Sequence, residues 1–143
     1  MDDCLKLDHQ LCFPLYAVSR EVIKKYKLYL DKIDLTYTQY ITMMVLWENK
    51  SINVKHLGER LYLDSGTLTP LLKNMEKKGL ITRNRSVYDE RNLIVTITDK
   101  GMKLRDKAKD IPKMVGSCVK LEEKEAMELY RILYKILDGM KEG

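Results

Sequence analysis

Apolar residues recur along this chain with two periods, 3.6 and 2, and the change from one to the other marks out its elements. Between Leu11 and Leu30, the residues Leu11, Leu15, Val18 and Val22 fall at i, i+4, i+7 and i+11, which is one face of a helix. Pro14 fits that helix only in its first turn, where its missing N–H has no intrahelical partner, so Cys12 lies at or just before the helix start. A second helix is expected from Thr36, a suitable N-cap, with Tyr40, Ile41, Met44, Val45 and Trp47 as its apolar face. Ser51 to Val54 reads as a short β piece, and Lys55 to Leu61 as a short helix packing through Leu57 and Leu61.

Pro70 constrains the helix that follows. With Thr67 as cap, the proline falls at the third helical position and removes no bond; a cap at Ser65 costs one, so the spacing predicts a start near Thr67 with Asp64 and Ser65 in the turn. Leu68, Leu71, Leu72 and Met75 form the inner face, and Gly79 stops the helix. Two strands, Leu80 to Arg85 and Leu93 to Thr98, then flank a charged tip; in the second, Leu93, Val95 and Ile97 alternate with Ile94, Thr96 and Thr98. Thr98 can cap a further helix that Pro112 interrupts, and a last helix from near Leu121 carries Met127, Leu129, Ile132, Leu133, Ile136 and Leu137.

The resulting fold class is mainly α with a small β-hairpin. Two helices followed by a basic hairpin form a winged helix-turn-helix, which lays its second helix in the DNA major groove and reaches the backbone or minor groove with the hairpin. Ser65, Thr67, Thr69, Lys73 and Asn74 are candidate contacts from that helix, and Arg83, Arg85 and Arg91 from the hairpin. Arg91 suits a narrow A·T-rich minor groove. Lys77 or Lys78 is expected on a solvated face. The terminal helices hold more apolar surface than a small core covers, which points to a homodimer; two recognition helices reaching successive major grooves imply a pseudo-palindromic double-stranded operator. The expected organisation is a single domain over residues 1–143, with 1–35 and 112–143 as helical dimerisation region and 36–111 as DNA-binding region and connecting helix.

Composition agrees with this reading. Residues number 143, 45% hydrophobic and 33% charged, as in a folded globular domain, and the net charge of +5 with a pI near 9.0 favours a polyanionic partner. No apolar run reaches the ~20 residues of a membrane span, and the N-terminus lacks the order of a secretory signal, so a cytoplasmic location and no membrane partner are expected. Three cysteines, Cys4, Cys12 and Cys118, and two histidines, His9 and His56, make no metal-binding spacing; neither metal nor cofactor is expected.

The stretches DHQLCFPLYAVSREVIKKY (8–26), LTYTQYITMMVLWE (35–48) and LGERLYLDSGTLTPLLKNMEKKGLITRNRSVYDERNLIVTITDKG (57–101) together resemble the MarR family of transcriptional regulators. LCFPLYA, LTYTQY and LYLDSGTLTPLLK are similar to its OhrR-type organic-hydroperoxide sensors and their SarZ- or MgrA-like relatives. The resemblance implies a repressor, not an enzyme, whose reactive cysteine is Cys12, with Tyr26 and Tyr37 hydrogen-bonding the sulfur. It also implies that Asp89, in the Asp89-Glu90-Arg91 wing, pairs with an arginine. Asn92 departs from the residue many relatives carry after that arginine.

A lone cysteine in an apolar stretch is more often an inert core residue than a sensor. Here the helix N-terminus stabilises negative charge on sulfur, and a thiolate is the form that attacks a peroxide. Cys12 and Tyr26 are 14 residues apart on one helix, about 21 Å, so they can share a site only if a second subunit supplies the tyrosine. Phe13, Leu15 and Met44 would wall the pocket, whereas Tyr16 and Tyr40 fit core positions better. In the resembling proteins the oxidised sulfur is capped either by a low-molecular-weight thiol or by a second cysteine. Cys118 is a candidate resolving residue, and a buried inert role remains open for it. Two alternatives stand beside this reading: a regulator released by a phenolic or other small ligand in the dimer cleft, and a thiol peroxidase using Cys12 and Cys118.

Overall fold

Two short 3-10 turns over residues 3–9 lead into α1 (Cys12–Leu30), so Cys12 is its first residue and Pro14 its third, inside the turn where a missing N–H is harmless. The computed structural model describes residues 3–89 and 91–141. A 3-10 turn, Asp31–Ile33, and the left-handed Asp34 swing the chain into α2 (Tyr37–Asn49). That helix opens on a capping box: Gln39 N–H donates to Thr36 Oγ1 at 3.3 Å, and Thr36 N–H donates to Gln39 Oε1 at 3.1 Å.

The expected apolar face of α2 needs correction. Met43 and Leu46 are fully buried, whereas Met44 is 44% exposed. This helix packs against α1 and against most later elements of the winged helix, so most of its circumference is covered and a one-face pattern does not locate the core.

β1 (Ser51–Asn53), α3 (Val54–Leu61), α4 (Ser65–Lys77), β2 (Ile81–Arg85) and β3 (Leu93–Ile97) complete the winged-helix order. The strands form one antiparallel sheet in the order β1-β3-β2, with Ser51 opposite Thr96 and Ile81 opposite Ile97. α4 starts three residues earlier than the proline argument predicts. Its cap is Asp64, whose carboxylate accepts the Thr67 N–H at 2.8 Å, and Pro70 sits inside the helix. The cost is one lost bond to the Gly66 carbonyl. The ionised cap at the helix N-terminus offsets it.

Gly79, at φ 78°, takes the left-handed turn from α4 into β2. Thr98 caps α5 (Asp99–Ala108) by accepting the Gly101 N–H at 3.1 Å. Gly101 has no room for a side chain: a Cβ there would lie 2.5 Å from the Leu80 carbonyl. Its own carbonyl accepts the Trp47 indole N–H at 2.9 Å, which ties α2 to α5. Pro112 falls in the first turn of α6 (Ile111–Gly116), past the end of α5 at Ala108, so it opens a helix where the sequence suggested an interruption.

Leu30, Met43, Leu46, Leu57, Leu68, Leu72, Met75, Ile81 and Val95 form the centre of the core, and Ile111 and Val115 of α6 join it. The expected boundary at residue 112 therefore falls within an element that belongs to that core. α7 (Glu123–Met140) is different: none of its residues is buried, and Met127, Leu129, Tyr130, Ile132 and Tyr134 are exposed. Leu11, which precedes α1, and Leu15 and Val18 within it are exposed as well, so only the Val22 end of the apolar stripe read from the sequence has cover within its own chain.

Candidate nucleic-acid interface and sulfur site

With Leu68, Leu72 and Met75 of α4 buried, helical geometry turns Thr67, Pro70, Lys73, Asn74 and Lys77 toward solvent. Ser65, the first residue of the helix, lines a groove with Asn53, Lys55, Arg91 and Asn92, so the helix start and the wing bound one concavity. Thr69 is exposed beside them. The helix start is not an open set of amide donors, however. The Asp64 carboxylate already occupies it, and its hydrogen bond from Thr67 holds that acid below the ordinary carboxylate range. A phosphate would meet Ser65 and neighbouring cations here rather than bare N–H groups.

The wing is built from short polar links. Asp89 Oδ1 accepts the Arg91 N–H at 3.0 Å and lies 4.0 Å from the Arg91 guanidinium. This pairing is the one the resemblance implies, and it leaves the Arg91 side chain 97% exposed at the tip. Glu90 lies outside the described residues. Asn92 acts locally, since its Oδ1 accepts from Asn53 Nδ2 at 2.9 Å and so joins the wing base to the residue that caps α3.

Arg83 leaves the expected DNA-facing set. Its guanidinium donates to Glu76 Oε1 at 3.0 Å, its N–H donates to Glu76 Oε2 at 3.1 Å, and the side chain is mostly buried. The bond to Arg83 in turn holds the Glu76 carboxyl below its usual range. Arg83 braces β2 against α4, while Arg85, two residues on, is exposed. Lys78 is held in place instead: its ammonium donates to the Asp34 carbonyl at 2.6 Å and to Gln39 Oε1 at 3.1 Å. Lys77 is exposed as expected.

Three tyrosines gather where α1 ends and α2 begins. The rings of Tyr26 and Tyr37 lie 4.9 Å apart, and Tyr40 is 5.6 Å from Tyr26 and 6.2 Å from Tyr37. Burial pushes all three phenols up, Tyr40 to about 12, so each is a neutral O–H donor at physiological pH. Tyr40 is a core ring, as expected, but Tyr16 is not: it is 54% exposed and its hydroxyl accepts from Arg20 at 2.8 Å.

Cys12 is exposed at the opposite end of α1, among the exposed Leu11, Phe13, Leu15 and Tyr16. The structure therefore brings Tyr26 and Tyr37 together and keeps both away from the sulfur of their own chain. Cys118 follows α6, where its thiol reaches the Met114 carbonyl at 3.7 Å and lines an apolar groove with Ala17, Val18 and Val22 of α1. All three cysteines are free thiols. Among the described residues, no group of three His, Cys, Asp or Glu side chains sits close enough to hold a metal ion. Nor is any described helix long and apolar enough to cross a membrane.

Sequence reasoning missed Gln39 and Glu76, the two side chains that tie α4 to its neighbours. Thr36-x-x-Gln39 is a capping-box pattern and could have revealed the first. Nothing local marks Glu76, whose partner lies across a turn.

Comparison with known proteins now fits this geometry. The profile of the transcriptional regulator family SarA/Rot matches residues 24–108. The organic hydroperoxide resistance transcriptional regulator of Bacillus subtilis is 49% identical over 138 residues, 96% of this chain and 94% of that one. The regulator SarZ of Staphylococcus saprophyticus is 46% identical over 132 residues, 92% and 90% of the two chains. Reduced AbfR bound to DNA superposes with a TM-score of 0.79 at 34% identity, covering 95% of this chain and 93% of that one. AbfR with a disulfide formed gives 0.66 at 34%, covering 92% of each. These relatives are regulators rather than enzymes, which sets aside the thiol-peroxidase alternative. The chain belongs to the SarA/Rot family of transcriptional regulators, within the MarR-type winged-helix group, and is a DNA-binding regulator with OhrR and SarZ among its kin.

Proposed function

We propose that this protein is a homodimeric repressor that leaves a pseudo-palindromic operator when an organic hydroperoxide oxidises Cys12. The Cys12 thiolate attacks the terminal peroxide oxygen: an S–O bond forms, the O–O bond breaks, and the departing alkoxide takes a proton to become an alcohol. The product is a sulfenic acid. It condenses with a low-molecular-weight thiol, or with Cys118 of a second subunit, giving a disulfide and water.

The observation that supports this reading is the separation of Cys12 from the tyrosine cluster along α1. Nineteen residues of helix, with a bare apolar face, hold a thiol at one end and two neutral phenol donors at the other. An antiparallel pairing of two such helices sets the sulfur of one protomer against Tyr26 and Tyr37 of its partner. The phenol hydroxyls donate to the thiolate, and conversion to a sulfenic acid or disulfide disturbs those bonds. Because Tyr37 is the first residue of α2, the disturbance enters the DNA-binding module directly. That module would grip DNA through Ser65, Thr67, Thr69, Lys73 and Asn74 of α4 and through Arg85 and Arg91 of the wing, held by Asp89.

The test is operator binding by Cys12→Ser before and after one equivalent of cumene hydroperoxide, with the intact mass followed in parallel. Wild type should gain one oxygen or a mixed disulfide as it releases DNA, and the variant should stay bound. Release of Cys12→Ser by the same dose would sink the redox reading. Release by a phenolic acid instead would favour the ligand alternative, for which a cavity of about 390 Å³ between α2 and α5, lined by Tyr40, Met44, Trp47 and Arg105, is available.

A further inference from the structure

Gln39 is only 4% exposed, yet its side-chain amide is fully engaged. Its Oε1 accepts from the Thr36 N–H at 3.1 Å and from the Lys78 ammonium at 3.1 Å. Both partners can only donate, so this end of the amide has to be the oxygen and the other end the NH₂ group. That group donates to Asn74 Oδ1 at 2.7 Å. The constraint then passes on to Asn74, because its oxygen is held from within and Nδ2 is left for the exposed side of α4.

An asparagine that reads adenine offers a donor and an acceptor together. One whose oxygen is turned inward onto a buried donor leaves its NH₂ group to face the groove. We infer that Gln39 is a specificity-determining positioning residue: it fixes Asn74 with its donors toward the groove, favouring base edges that present acceptors alone, guanine O6 and N7 or thymine O4, over adenine, whose N7 acceptor sits beside a donor, and cytosine, which presents a donor. The inference rests on the reading that α4 lies in the major groove. It also gives that reading a finer consequence, because Gln39 shares a helical turn with Tyr37, so a shift of that turn carries the amide with it.

Selection from an operator library with randomised half-site positions, run with reduced protein, tests the assignment. Gln39→Glu keeps acceptors for Thr36 and Lys78 but donates nothing, so Asn74 has to turn its amide over and face the groove with oxygen. Wild type should prefer guanine or thymine at one position per half-site, by between about twofold and tenfold, the worth of one net hydrogen bond. Gln39→Glu should move that preference to adenine or cytosine, and Asn74→Ala should abolish it. The double variant should match Asn74→Ala. Gln39→Met, nearly isosteric and without polar ends, serves if the glutamate disturbs folding, and should relax the same position alone. If Asn74→Ala relaxes the position while both Gln39 variants select like wild type, the role of Gln39 falls and the placement of α4 stands. If Asn74→Ala selects like wild type, the assignment of Asn74 to the groove falls, and that of Gln39 with it.

Discussion

The middle of the chain and its two ends solve the burial problem differently. From α2 to α6 most of the leucines, methionines and isoleucines find partners within a single protomer: Met43, Leu46, Leu57 and Met75 are out of contact with solvent, while Met44 and Met114 are exposed and carry no core role. α7, with as regular an apolar stripe, buries no residue. The two regions do not differ in hydrophobicity so much as in where the complementary surface lies. A winged helix has sheet and helices around a common centre, whereas a long terminal helix has only one neighbour's worth of contacts and needs a second molecule to cover it.

The sharpest way to break this contrast is a charge on α7. Ile132→Asp should leave far-ultraviolet circular dichroism and the melting transition of the module nearly intact while sedimentation shows a monomer. Operator affinity should fall by about two orders of magnitude or more, because two linked half-site contacts become one. Retained dimers with full affinity would place the interface elsewhere. Leu72→Ala tests the other region: it should destabilise the protomer by about 2–5 kcal/mol in urea unfolding, through the cavity left in a closed core. A smaller effect belongs to the seam between the regions. Tyr40 ionises near 10 when unfolded but only at about 12 in the fold, so above pH 10 the unfolded chain binds fewer protons. Stability from this source is complete below pH 10 and is lost as pH rises toward 12. The loss is on the order of 1 kcal/mol, and Tyr40→Phe should flatten that limb of the melting-temperature profile.

Much of this arrangement was legible from spacing alone. Thr36 and Thr98 stood out as caps, Pro14 marked a first turn, Pro112 a break between helices, and the alternation from Leu93 to Ile97 a strand. Each of these signals is local, set within four residues by hydrogen bonds that either form or do not. The misreadings have longer-range causes. Pro70 argued for a later helix start, but Asp64 offered an ionised cap three residues before Thr67 and outweighed one lost bond. Met43 and Met44 are chemically identical and adjacent, and only the packing of the other elements around α2 decides which one is buried. Arg83 looked like one more wing cation because Glu76, its partner across the Gly79 turn, belongs to a different element. Of the proposed sulfur site, Cys12 and both tyrosines could be named through the family resemblance, and the distance from Cys12 to Tyr26 could be computed from helical rise. That Tyr26 and Tyr37 stand together in one protomer needed the turn at residues 31–36, whose left-handed Asp34 no period announces.

The chain contains a single tryptophan, Trp47, and its indole N–H is fastened to the Gly101 carbonyl at the seam of α2 and α5. Its emission therefore comes from one known place, and that place lies on the helix whose first residue is Tyr37. The molecule carries its own optical gauge, so a peroxide titration followed by fluorescence would register loosening of that seam without a dye, a tag or a duplex.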